Sequence, residues 1–109
     1  MKILVADDDS MIRMLIERQL IAWGHEVRTA GDGEEAMREI ERDDSLQVLL
    51  LDWMMPGLDG LEVCRRTRQL KRNHYMFIVL ITSRSGKENF LTGMSAGADD
   101  FMTKPLDAD

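Results

Sequence analysis

One cysteine, Cys64, stands in 109 residues, so no disulfide can form within the chain. A lone cysteine of this kind reads as a small core-facing apolar group. No apolar stretch approaches the roughly 20 residues that a bilayer span needs, and no signal-peptide pattern opens the chain. These absences point to a reducing, cytoplasmic setting and to no membrane attachment. Histidine is scarce as well. His25 and His74 carry no metal-ligand spacing and follow predicted helices, which makes them structural or solvent-exposed. Positive charge is thin in a chain of net charge −6. Its one concentration, Arg65, Arg66, Arg68, Lys71 and Arg72, falls along or just past a predicted helix with an apolar stripe. That is a solvated helix face, not a nucleic-acid footprint. Repeats, low-complexity tracts and linkers are missing too, and the length suits one domain with a real core.

What the chain does have is a series of short apolar runs that end in reactive groups. Lys2-Ile3-Leu4-Val5-Ala6 is followed at once by Asp7-Asp8-Asp9. Val48-Leu49-Leu50-Leu51 leads into Asp52-Trp53-Met54-Met55-Pro56-Gly57-Leu58-Asp59-Gly60. Phe77 to Ile81 ends in Thr82-Ser83, and the short run Asp100 to Thr103 ends in Lys104-Pro105. Continuous aliphatic runs of this length read as strands buried on both faces, the kind found in parallel sheets. In such sheets ligands gather beyond the carboxyl ends of the strands. Parallel strands would therefore bring the acids, the hydroxyls and the lysine to one edge.

Amphipathic segments separate these runs. Ser10 is placed to cap a helix with Ile12, Leu15, Ile16, Gln19, Leu20 and Trp23 on one face, closed by Gly24. Glu26 to Ala30 alternates weakly as a short strand, and Gly31-Asp32-Gly33 turns into a helix from Glu34 to about Arg42 with Ala36, Met37 and Ile40 inward. A third helix starts at Asp59 or Gly60 and runs to about Leu70. A fourth runs from Lys87 to about Ala96 with Phe90, Leu91 and Met94 as its apolar set. Met14, Met37, Met76 and Met94 read as core filling. The β-α alternation predicts an α/β domain: a doubly wound parallel sheet with helices on both faces.

The chemistry of the shared edge follows from its residue types. Asp7, Asp8 and Asp52 brought together would repel unless a cation neutralised them. Mg²⁺ suits the set, because it takes one or two carboxylates, keeps waters and accepts phosphate oxygens. Asp9 reads more simply as a helix cap. Lys104 offers a point charge and Thr82 a hydroxyl for phosphoryl oxygens. An aspartate nucleophile, a divalent cation, a lysine and a hydroxyl suffice for phosphoryl transfer to a carboxylate.

Five pieces in this order and spacing, Val5-Ala6-Asp7-Asp8, Asp52 to Gly60, Ile81-Thr82-Ser83, Ala96-Gly97-Ala98-Asp99-Asp100-Phe101 and Lys104-Pro105, resemble the receiver domains of two-component response regulators. The resemblance runs from Lys2 to Leu106. It implies a flavodoxin-like five-stranded sheet of order 2-1-3-4-5. It implies that Asp52 accepts a phosphoryl group from a sensor histidine kinase or phosphotransfer protein. Asp8 and Asp52 would bind Mg²⁺ directly, Asp7 through water, and Met54 through its backbone carbonyl. Thr82, Lys104 and the backbone amide of Ser83 would hold the phosphoryl group. Thr82 and Phe101 would form the switch that remodels a partner-binding face for a downstream output domain or protein. The domain would be a regulatory phosphoacceptor, not an enzyme on other substrates, and the Lys104-Pro105 bond would be cis.

Further expectations attach to this resemblance. Met54 and Arg84 flank the site and would shield an acyl phosphate from water. Trp53 would cover the strand end and report on the site by fluorescence. Asp107 looks like the cap of a helix that the sequence does not continue, so residues 1–109 read as a receiver truncated before its final helix, the N-terminal part of a longer protein. Apolar surface left bare would favour a homodimer or lower stability. The alternative is a pseudo-receiver, a docking module that is never phosphorylated; it would lack an acid, the threonine or the lysine. A haloacid dehalogenase-type phosphatase would continue differently after its acids, and a flavodoxin would need a glycine- and hydroxyl-rich phosphate loop where three aspartates stand.

Overall fold

The computed structural model describes residues 1–83 and 86–104. Among these, five strands and four helices alternate: β1 Lys2–Ala6, α1 Ser10–Ala22, β2 Glu26–Ala30, α2 Gly33–Arg42, β3 Val48–Asp52, α3 Gly60–Gln69, β4 Phe77–Thr82, α4 Lys87–Ser95 and β5 Asp100–Thr103. All neighbouring strands pair in parallel, in the order β2-β1-β3-β4-β5. The expected strand order and architecture are therefore present. The expected cis bond before Pro105, the shielding role of Arg84 and the cap at Asp107 lie outside the described residues.

Side-chain parity divides the sheet into two faces. Leu4, Ala6, Leu49, Leu51, Ile78 and Leu80 point to one side, where they form the main core with Ala36, Met37 and Ile40 of α2 and Val63 and Cys64 of α3. Ile3, Val5, Val79 and Ile81 are buried on the other side. Each fully buried leucine or isoleucine stabilises the fold by about 1.5–3 kcal/mol relative to an exposed one. The strands are central because their runs are apolar on both faces.

Helix ends show where the sequence expectations held and where they did not. Asp32 caps α2 by accepting from Glu35 N, and Asp59 caps α3 by accepting from Glu62 N. At α1 the cap is Asp9, not Ser10. Its carboxylate accepts from Met11 N and Ile12 N, while Ser10 is the first helical residue. The expected apolar face of α1 is only half covered. None of its residues is fully buried, and Leu15 and Trp23 are 55% and 65% exposed. Met14 is likewise exposed, whereas Met37 and Met76 are buried as expected. In α4, Phe90 and Leu91 are exposed and the one buried residue is Gly93.

Arg68 also departs from the solvated face assigned to it. Its Nε donates to Gly97 O at 2.8 Å, Nη1 to Met76 O at 2.6 Å and Nη2 to Asp99 Oδ2 at 2.7 Å. The guanidinium stacks 4.6 Å from the Tyr75 ring centroid. Its long stem lets one helix residue tie α3 to the start of β4 and to the turn before β5. Asp99 accepts in addition from Tyr75 Oη and Ile78 N. Burial opposes its charge, but these hydrogen bonds and Arg68 outweigh it and hold the carboxyl below its usual range.

Candidate functional site

The acids Asp7, Asp8 and Asp52, the hydroxyls of Thr82 and Ser83, and Lys104 all sit at the carboxyl edge of the sheet. β1 runs out into Asp7, whose amide still pairs with Ala30 O at 3.1 Å. β3 ends on Asp52, in register with Ile81 of β4. Trp53 N then donates to Ile81 O at 2.9 Å, and Lys104 N donates to Thr82 O at 2.7 Å. The site groups thus hang from backbone that is hydrogen-bonded across the sheet. They are placed by the sheet itself.

The loop after Asp52 needs its glycines. Gly57 takes a φ of 72°, the left-handed region that favours glycine. Gly60 N donates to Trp53 O at 2.8 Å and closes the loop. A Cβ at Gly60 would stand 2.4 Å from the Asp52 carbonyl oxygen. Only glycine lets α3 start this close beneath the aspartate.

Oxygens of Asp7, Asp8 and Asp52 lie within 4.8 Å of one another. Asp7 and Asp52 are buried and Asp8 is exposed. Lys104 Nζ stands between the two buried acids, 3.0 Å from Asp7 Oδ2 and 3.3 Å from Asp52 Oδ2. Burial, and then the charge of Asp7, push the Asp52 carboxyl up to about 6, against the pull of Lys104. Burial opposes the charge of Lys104, but its hydrogen bond to Asp7 and the charges of Asp52 and Asp7 keep the ammonium above its usual range. Two buried carboxylates, one lysine and an exposed third acid make a site short of positive charge. Hard oxygen donors this close together fit Mg²⁺.

Thr82 is fully buried at the end of β4, and Ser83 follows it at the surface. Met54 is 49% exposed beside Asp52. Phe101 is half-buried on β5 and packs edge-on against Trp53 at 6.1 Å and against Phe90 at 5.9 Å between ring centroids. Asp9 is spent on its helix cap. Exposed Asp8, Met54 and Ser83 leave this edge open to solvent above its buried acids. Surface hollows of about 430 and 400 Å³ lie elsewhere, around the segment from Leu70 to Tyr75 between α3 and β4. One residue at the edge went unnoticed in the sequence. Arg13 of α1 donates from Nη1 to the backbone carbonyl of Asp7 at 2.6 Å. Its only sequence signal is a charge on the inward-leaning side of a helix that begins beside the acids.

The model of the response regulator receiver domain family matches residues 3–109. The alkaline phosphatase synthesis transcriptional regulatory protein PhoP of Bacillus subtilis is 43% identical over 106 residues, covering 96% of this chain and 42% of that protein. Response regulator PleD of Caulobacter vibrioides is 42% identical over 106 residues, covering 97% of this chain and 23% of that protein. The chain thus spans less than half the length of these curated relatives. Among solved structures, the chemotaxis protein CheY4 of Vibrio cholerae superposes with a TM-score of 0.91 at 29% identity, covering 97% of this chain and 88% of the other. The BeF3-activated N-terminal receiver domain of Klebsiella pneumoniae RstA gives 0.88 at 30% identity, covering 99% and 89%. Fold, edge chemistry and sequence agree: this chain belongs to the response regulator receiver domains of two-component signalling.

Proposed function

We propose that the domain is a phosphorylation-activated switch in which Asp52 accepts a phosphoryl group from a phosphohistidine on a sensor kinase or phosphotransfer protein. The observation that carries this reading is the grouping of Asp7, Asp8 and Asp52 with Lys104 bridging the two buried acids. An Asp52 carboxylate oxygen attacks phosphorus, the P–N bond to the donor imidazole breaks, and the imidazole leaves with the electron pair and takes up a proton. The product is an acyl phosphate on Asp52. An open edge suits this reaction, because the donor is a side chain presented by another protein.

Asp8 and Asp52 would hold Mg²⁺, with Asp7 acting through water and Met54 through its carbonyl. When bound, the ion supplies positive charge against the acids and the phosphoryl oxygens. Lys104 is poised to leave its two carboxylate partners for a phosphoryl oxygen, and the Thr82 hydroxyl and Ser83 amide would donate to others. Asp52 must be ionised to attack. With its carboxyl at about 6, that condition is met at neutral pH.

The new charge then biases a two-state equilibrium. Thr82 turns toward the phosphoryl group and Phe101 repacks, altering the surface of α4 and β5 on which Phe90, Leu91 and Met102 are already exposed. That face would meet a downstream output domain, an output protein or a second copy of the chain. The test is incubation with phosphoramidate and Mg²⁺, with and without a chelator. A hydroxylamine-labile phosphoryl group that forms only with the metal is the expected result. Phosphorylation that ignores the chelator would refute the role of the acids, and none at all would favour a docking module.

A further inference from the structure

We infer that Arg13 is a positioning residue for the divalent-cation site, holding the Asp7–Asp8 peptide so that both carboxylates stay within reach of one ion. The inference rests on the metal-binding reading of Asp7, Asp8 and Asp52 given above. The guanidinium donates to Asp7 O at 2.6 Å. Asp7 O belongs to the peptide that leads into Asp8, so this bond sets the plane from which the Asp8 side chain departs. The other polar groups of Asp7 are already tied. Its amide pairs with Ala30 O at 3.1 Å, Oδ1 accepts from Asp9 N at 2.9 Å and Oδ2 accepts from Lys104 at 3.0 Å. Asp8, by contrast, is exposed. Its orientation depends on the peptide before it.

The choice of acceptor matters. Among the described residues Arg13 forms no ion pair, although it lies in the first turn of α1, just after three aspartates. A guanidinium spent on a carbonyl leaves the carboxylate oxygens for a metal, whereas one paired with Asp7 or Asp8 would compete with it. Its far side is bounded by a glycine. Gly31, in the turn after β2, faces the guanidinium so closely that a Cβ would stand 3.2 Å from Arg13 Nη1. Gly31 N is itself held by Glu35 Oε2 at 3.2 Å. The arginine therefore lies in a slot between the first loop and a turn that is fixed from the other side.

Calorimetric titration with MgCl₂ alone tests this on wild type, Arg13→Ala, Arg13→Lys and Gly31→Ala, with folding of each checked by circular dichroism. Arg13→Ala should bind Mg²⁺ about tenfold more weakly, the scale expected on losing a partner behind a metal ligand. Arg13→Lys keeps the charge but not the planar fork and should fall between. Gly31→Ala should weaken binding in the same direction while every charge is kept. Equal affinity in Arg13→Ala would overturn the inference. Tighter binding would also overturn it, since the guanidinium would then act only as a competing positive charge. A wild type that binds no Mg²⁺ would instead overturn the proposed function, so the two failures are distinguishable.

Discussion

Asp52→Asn, studied with divalent cations chelated, should make the protein more stable even as it removes the phosphoacceptor. In the fold the Asp52 side chain is 6% exposed and its carboxyl is held at about 6 instead of 3.8, first by burial and then by Asp7. A carboxylate in that position costs about 3 kcal/mol when ionised at neutral pH. Asparagine removes that cost. That figure already includes the opposing pull of Lys104, whose ammonium keeps Asp7 at 3.0 Å after the substitution. The net gain is about 2–3 kcal/mol at neutral pH. The sign with pH is definite. Because the folded carboxyl titrates above the unfolded one, the cost is absent below about 4, grows as pH rises toward about 6 and is constant beyond. Urea unfolding from acid to neutral pH should therefore show wild type and variant converging toward acid and separating toward neutrality. Saturating Mg²⁺ should stabilise wild type more than the variant. An asparagine variant as stable as wild type at neutral pH, or less stable, would refute the electrostatic reading of the site.

Arg68→Ala breaks the tie of α3 to β4 and to the turn before β5, and leaves Asp99 without its cation. With Arg68 and Asp99 still 24% and 18% exposed, we expect a loss of about 2–3 kcal/mol in urea unfolding. A loss under about 1 kcal/mol would mean that the network is ornamental. Gly60→Ala forces a methyl to within 2.4 Å of Asp52 O and should cost at least about 2 kcal/mol while weakening Mg²⁺ binding; wild-type values for both would show that the loop yields freely. Met54→Asn replaces a half-exposed apolar side chain beside Asp52 with one that can orient water. The acyl phosphate should then decay several-fold faster, and an unchanged decay rate after rapid desalting would remove Met54 from the shielding role.

Much of the site was legible because parallel strands convert sequence position into spatial position. Asp7, Asp8, Asp52, Thr82 and Lys104 all follow apolar runs, and strand ends that point one way must converge. The glycine-bounded loop after Asp52 was legible as a turn, but not the closeness of Gly60 to Asp52 O, which depends on how α3 docks. Helical periodicity showed the apolar sides of α1 and α4 without saying what covers them. Leu15, Trp23, Phe90 and Leu91 therefore remain largely exposed despite their spacing. Of the two caps the sequence allows for α1, Ser10 and Asp9, the fold takes Asp9 for a local reason. Both residue types cap well, and the chain keeps extended backbone through Asp9 before it winds. Arg13 and Arg68 were missed because charge on a helix reads as solvent-facing. Both act through long side chains that reach backbone carbonyls, and for Arg68 those carbonyls lie 8 and 29 residues away.

The most direct test of the account is intact-mass spectrometry of wild type and Asp52→Asn after incubation with Mg²⁺ and a small phosphodonor. One added phosphoryl group on wild type and none on the variant is the predicted result. Equal phosphorylation of both, or none on a wild type shown to be folded and to bind Mg²⁺, would contradict it.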